Sequence, residues 1–122
     1  EFLLVDSIGK KIKVVDELIR SLELTNATAI KSRVEELDGD FDFVVSRAVA
    51  SMSELFRWTR HLVRPGGKNT LKNGWIFLKG GDLSEEIRAL DRETMEFDIS
   101  HFFQEPFFEM KKIVYLGSNS IH

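Results

Sequence analysis

The sequence contains no cysteine. Disulfide frameworks and thiolate chemistry are therefore excluded, and the composition suits a reducing cytosol. No apolar run approaches the length that spans a bilayer, and the first residues do not combine a basic region with a long apolar core. Neither a membrane span nor a secretory leader is expected. An excess of positive charge is also missing. The net charge is -3, so no overall field draws the chain to nucleic acid, and any RNA contact must be a local patch. The three histidines, His61, His101 and His122, lack ligand spacing, so no metal site is expected. No nucleophile and base arrangement for acyl transfer is visible, and there is no internal repeat, low-complexity segment or interdomain linker. The expectation is a soluble, cytoplasmic chain.

What is present reads as an α/β protein. At 122 residues, with 43% apolar and 30% charged residues, the chain is long enough for one domain with a real core and too short for two of ordinary size. Phe2 to Val5 is an unbroken apolar run ending at Asp6, the signature of a buried strand. Ile12, Val15, Ile19 and Leu22 then recur at helical spacing among lysines, with Ser7 as the expected cap. Ala27 to Ile30 and Phe41 to Ser46 read as further strands, the second buried. Ser51 and Glu54 have capping-box spacing and open a helix with Met52, Leu55, Phe56, Leu62 and Val63 on its apolar face. Pro65 and three glycines make a long loop before the buried strand Trp75 to Lys79. Asp82 and Glu85 start a weaker helix through Leu90, and "MEFDISHF" and "KIVYLG" form an expected antiparallel pair. Strands alternating with helices imply a mostly parallel sheet covered on both faces.

Several residues stand where such sheets bind ligands. Asp6, at a strand tip, has two oxygens that can accept from two adjacent ribose hydroxyls; it can equally be a solvated carboxylate or a partner for the helix N-terminus. "SRVEEL" follows the next strand, where the Val34 N–H and the Glu35 carboxylate could read a base. In "SRAVAS", Arg47 follows a buried strand and can bind a carboxylate or phosphate bidentately, or sit in an ordinary surface pair. Arg64, Lys68, Lys72 and Lys79 form a run of cations without an intervening acid, interleaved with Trp75 and Phe77. This is a possible RNA surface, although aromatics in such a strand belong to a core. "GGKNT" is not a phosphate loop, because Asn69 takes the hydroxyl position and Leu62 the leading glycine.

Taken in order, "LLVDSIGKKIKVV", "IKSRVEEL", "FDFVVSRAVASMSEL" and "GWIFLKGGDLSEEI" resemble the bacterial small-subunit ribosomal RNA guanine-N7 methyltransferases, also known as glucose-inhibited division protein B. The resemblance covers nearly the whole chain, and "SRAVAS" is its most specific element. It implies a class I, Rossmann-like methyltransferase fold that uses S-adenosylmethionine, and ribosomal RNA or the small ribosomal subunit as partner. By position it assigns cofactor contact to Val34, Glu35 and Arg47 and the ribose to Asp6. Lys68, Lys72 and Lys79 are the corresponding RNA-binding candidates.

The family carries a first strand and a glycine-rich turn before the segment seen in this sequence. Residues 1–122 are therefore expected to be a single, N-terminally incomplete methyltransferase domain, needing a missing N-terminal segment or another chain to complete its sheet. Since the family's first strand lies between the second and fourth, the sheet should split into a two-stranded piece and a larger one. A non-catalytic α/β interaction module that has lost the cofactor turn is the alternative. A nucleotide-dependent oxidoreductase, which shares the acid after the second strand, is disfavoured by "SRAVAS" and the antiparallel ending.

Overall fold

The computed structural model describes residues 1–47 and 50–118, and the chain divides into two compact units, Glu1–Asp38 and Gly39–His122. In the first unit, β1 (Phe2–Asp6), α1 (Gly9–Ser21) and β2 (Ala27–Lys31) are followed by a short 3-10 helix, Val34–Glu36. The two strands pair in parallel, from Phe2 beside Ala27 to Asp6 beside Lys31, and α1 packs on both. Ile12 is the buried residue of the helix, while Leu22 is exposed. Beyond it Glu23 turns left-handed at φ 53°, and the Leu24 N–H reaches the Ile19 carbonyl at 3.0 Å. This closure satisfies a carbonyl of the last turn, usually with glycine at the left-handed position. Ser7 is not the cap that its type suggests. Ile8 holds that position without a side-chain bond, and the Asp6 carboxylate instead accepts from the Ile8 N–H at 2.9 Å.

The second unit contains β3 (Phe43–Arg47), α2 (Met52–Thr59), β4 (Gly74–Gly80), α3 (Ser84–Leu90), β5 (Met95–Asp98) and β6 (Lys111–Gly117). Its four-stranded sheet has the order β3-β4-β6-β5. β3 and β4 are parallel, and β6 runs antiparallel to both of its neighbours. The antiparallel ending therefore forms as expected, except that β5 stops at Asp98 and residues Ile99–His101 coil into a 3-10 turn. Likewise β3 begins at Phe43, Phe41 making an isolated bridge to Val63.

The core lies in this unit. Met52, Leu55 and Phe56 of α2 pack with Trp75 and Phe77 of β4, Leu83 and Leu90 around α3, and Val114 and Leu116 of β6. Ser51 caps α2 by accepting from the Glu54 N–H at 3.3 Å, as the capping box predicts. Thr59, fully buried, donates to the Leu55 carbonyl at 2.6 Å and accepts from the Trp75 indole at 2.9 Å. Gly74 lets β4 and β6 approach closely, since a Cβ there would strike the Leu116 carbonyl oxygen.

Two strands expected to be buried are not. Phe2 and Leu4 of β1 and Val45 of β3 are exposed. Among the described residues β1 pairs with β2 alone and β3 with β4 alone. An apolar run is buried on both faces only where neighbouring strands and crossing helices cover it, and each of these strands borders an unpaired edge. A division into a two-stranded and a larger sheet is among the outcomes expected from the sequence.

Candidate functional site

The first unit brings Asp6, Val34 and Glu35 to one end of its sheet. Asp6 closes β1 beside Lys31, and the Ser32 N–H bonds the Asp6 carbonyl at 3.0 Å. The chain then enters the 3-10 turn, in which the first internal bond is the Glu36 N–H to the Arg33 carbonyl. The N–H groups of Val34 and Glu35 thus start the turn without an acceptor inside it. Asp6 already accepts one hydrogen bond, and a carboxylate has about four acceptor sites, so capacity for hydroxyls remains. Glu35 is exposed.

The second unit has a cavity of about 620 Å³ at the carboxyl ends of β3 and β4, lined by Arg47, Lys79, Glu86, Phe107, Phe108 and Lys111 among others. Its volume falls within the about 300–1,000 Å³ usual for small-molecule sites. Arg47 is exposed at the tip of β3, beside Leu78 of β4. Of the "SRAVAS" motif, Ala48 and Val49 lie outside the described residues, as does His122. Lys79 is more deeply placed. Its ammonium donates to the Ala50 carbonyl at 2.8 Å and pairs with Glu86 Oε1 at 3.2 Å. The same Glu86 oxygen accepts from the Met52 N–H at 3.0 Å, at the start of α2. Three cations against one carboxylate leave the cavity positive.

The cations expected as one RNA surface do not converge. Lys68 and Lys72 precede β4, whereas Lys79 stands at its far end, roughly 20 Å away at strand rise. Arg64 is held by Asp42 at 2.8 Å. Trp75 and Phe77 are core residues. The loop before β4 is fastened at several points: Asn73 donates to the Arg64 carbonyl at 3.1 Å and its N–H to the Gly66 carbonyl at 2.7 Å, while the Tyr115 hydroxyl donates to the Lys72 carbonyl at 2.6 Å. Burial raises the Tyr115 pKa above its ordinary value. Gly67, at φ +127°, presses against Asn73, leaving no space for a Cβ.

Glu86, Phe107, Phe108 and Lys111 are cavity residues that sequence reasoning missed. The signal for the last three was "FFQEPFFEMKK", an aromatic cluster in a polar stretch with neither helical nor strand period. Among the described residues, no three of His, Asp and Glu gather as metal ligands, and no helix is long and apolar enough to cross a membrane.

Comparison with known proteins agrees with the order of motifs along the chain. A "Ribosomal RNA small subunit methyltransferase G" of Christiangramia forsetii is 51% identical over 115 residues, 94% of this chain and 54% of that protein. Proteins of the same name from Flavobacterium johnsoniae and Porphyromonas gingivalis are 47% and 45% identical, again over 94% of the chain and 54% and 52% of their own lengths. The chain thus spans about half the length of the curated relatives it matches. Since residues 1–113 match the family described as GidB, rRNA small subunit methyltransferase G, the chain belongs to the GidB family.

Proposed function

We propose that the protein is a cytoplasmic methyltransferase that transfers a methyl group from S-adenosylmethionine to N7 of a guanine in small-subunit ribosomal RNA. The observation that carries the reading is the identity of 51% over 94% of the chain to a relative named for that class of activity. Residues 1–122 then belong to one class I methyltransferase domain. The parallel strands and the closing antiparallel pair support that fold.

The side chains fit the cofactor in kind. The Asp6 carboxylate, at a strand tip with acceptor sites to spare, suits ribose hydroxyls. The N–H of Val34 and the carboxylate of Glu35 suit an adenine edge, and the exposed guanidinium of Arg47 suits a carboxylate. When bound, S-adenosylmethionine supplies a methyl carried on a sulfonium. Guanine N7 has a lone pair and no proton, so it could take that methyl directly, and the chain would have no general base to supply. The protein's contribution is alignment and exclusion of water. Lys68 and Lys72 are candidates for phosphate contact, and Lys79 for positioning within the cavity.

The test is methyl transfer to N7 of guanine in small-subunit ribosomal RNA by the full-length gene product, with Arg47→Ala and Arg57→Ala compared. Arg57 is exposed in the last turn of α2. Activity lost in the first variant and kept in the second is the expected result. A wild-type protein that transfers no methyl to this RNA would sink the proposal, and equal losses would remove Arg47 from the site.

A further inference from the structure

The segment joining β5 to β6 carries aromatic surface that the core does not use. Phe102, Phe103 and Phe107 are 71%, 53% and 68% exposed. Their arrangement is ordered by the rings themselves. Phe108 stands 5.3 Å from Phe103 and 5.1 Å from Phe107, meeting the latter edge to face at 87°. Phe107 and Phe108 also line the positive cavity. Lys111 opens β6 there, opposite Gly80, with its ammonium 5.2 Å from the Phe107 ring centre. Unlike Lys79, which is engaged by Glu86, Lys111 has no carboxylate within 4 Å among the described residues.

We propose that Phe107 is a stacking platform for an unstacked guanine of single-stranded RNA, and that Lys111 contacts the phosphate of the same nucleotide. The inference rests on the reading of the protein as an RNA methyltransferase and names residues that bind its acceptor. Proteins that read RNA by sequence take bases out of the helix and stack them on aromatic rings. A ring two-thirds in water, met edge to face by a second ring and with an ammonium over it that no carboxylate engages among the described residues, has the required parts. Stacking engages the face of the base and leaves its N7 edge open, which is what a reaction at N7 needs. The cavity wall that Phe107 shares with Arg47 supplies further positive potential for the backbone.

The full-length gene product should be titrated with a short unstructured RNA containing one guanine, and with the same RNA carrying an abasic site there. Phe107→Ala should weaken binding to the first by roughly tenfold and to the second by less than about twofold, in line with the worth of one stacked base. Phe107→Tyr should bind like the wild type, and Phe107→Leu like the alanine variant. Lys111→Gln should weaken binding to both RNAs and lower the salt slope by about one. Affinity for S-adenosylmethionine and the melting temperature should be unchanged in Phe107→Ala, since an exposed ring is being removed. Equal losses on the two RNAs, full affinity in Phe107→Leu or an unaffected Phe107→Ala would each overturn the proposal. Methyl transfer is read separately. A wild type that binds the guanine RNA without methylating ribosomal RNA refutes the proposed function while the comparison of Phe107 variants still decides this one, and a wild type that binds neither RNA overturns both.

Discussion

Glu86 and Lys79 are joined across the second unit by a 3.2 Å ion pair in which Glu86 is also the acceptor for the first N–H of α2. One carboxylate thereby ties the carboxyl end of β4 to the start of α2. The Lys79 side chain is only 14% exposed, so its ammonium has little water to bond and is held by Glu86 and the Ala50 carbonyl. Glu86→Ala is expected to destabilise the protein by about 1.5–3 kcal/mol, the usual worth of hydrogen bonds to a charged group. Glu86→Gln keeps an acceptor for Met52 and should lose less. Chemical denaturation of the two variants checks the order; equal stability of wild type and Glu86→Ala would show that the pair is merely a surface contact.

A second prediction concerns the polar link inside the core. Thr59→Val preserves shape and removes the oxygen that the Trp75 indole bonds at 2.9 Å. A buried donor without an acceptor costs about 1–3 kcal/mol, so the variant should unfold at lower denaturant concentration with an unchanged slope. Thr59→Ser, which keeps the hydroxyl, should be less affected. If valine is tolerated as well as serine, the bond contributes nothing.

The Asp82 carboxylate accepts from the Ser84 hydroxyl at 2.6 Å and the Ser84 N–H at 3.0 Å. These bonds, the hydroxyl first, hold its pKa below the ordinary 3.8, with help from Lys112. Because the folded value is the lower one, this carboxylate stabilises the start of α3 above pH 3.8 and ceases to do so as the pH falls through the folded midpoint. Carboxyl resonances followed by NMR should place the midpoint below 3.8, and Ser84→Ala should move it upward. A midpoint insensitive to Ser84→Ala would rule out the hydroxyl bond as the main cause of the shift.

For RNA, Lys68→Ala and Lys72→Ala together should flatten the salt dependence of binding by the full-length protein, each lost phosphate contact lowering the log-log slope by about one. Lys79→Ala should change the slope less, since Glu86 already neutralises that charge. A slope unchanged in the double variant would mean that the loop before β4 is only solvated.

Much of this protein was legible in its sequence wherever the cause is local. The 3.6-residue period around Ile12, the capping box of Ser51 and Glu54, the buried run at Trp75 and the alternation of β5 with β6 all act over a few residues, and each produced the element expected. The order of motifs was also enough to identify the family. Tertiary structure decided what those patterns cannot encode. Ser7 is not the cap because the helix begins one residue later, behind Ile8, whose N–H bonds the Asp6 carboxylate. Lys68 and Lys72 are separated from Lys79 because a strand runs between them, and Lys79 is neutralised by a residue seven positions later that only the fold brings alongside. The cavity combines Arg47 with Phe107 and Lys111, residues 60 and more apart in the chain. Periodicity reports which face of an element is apolar. Which faces meet, and which charges find partners, depends on contacts between distant segments that only the folded chain makes.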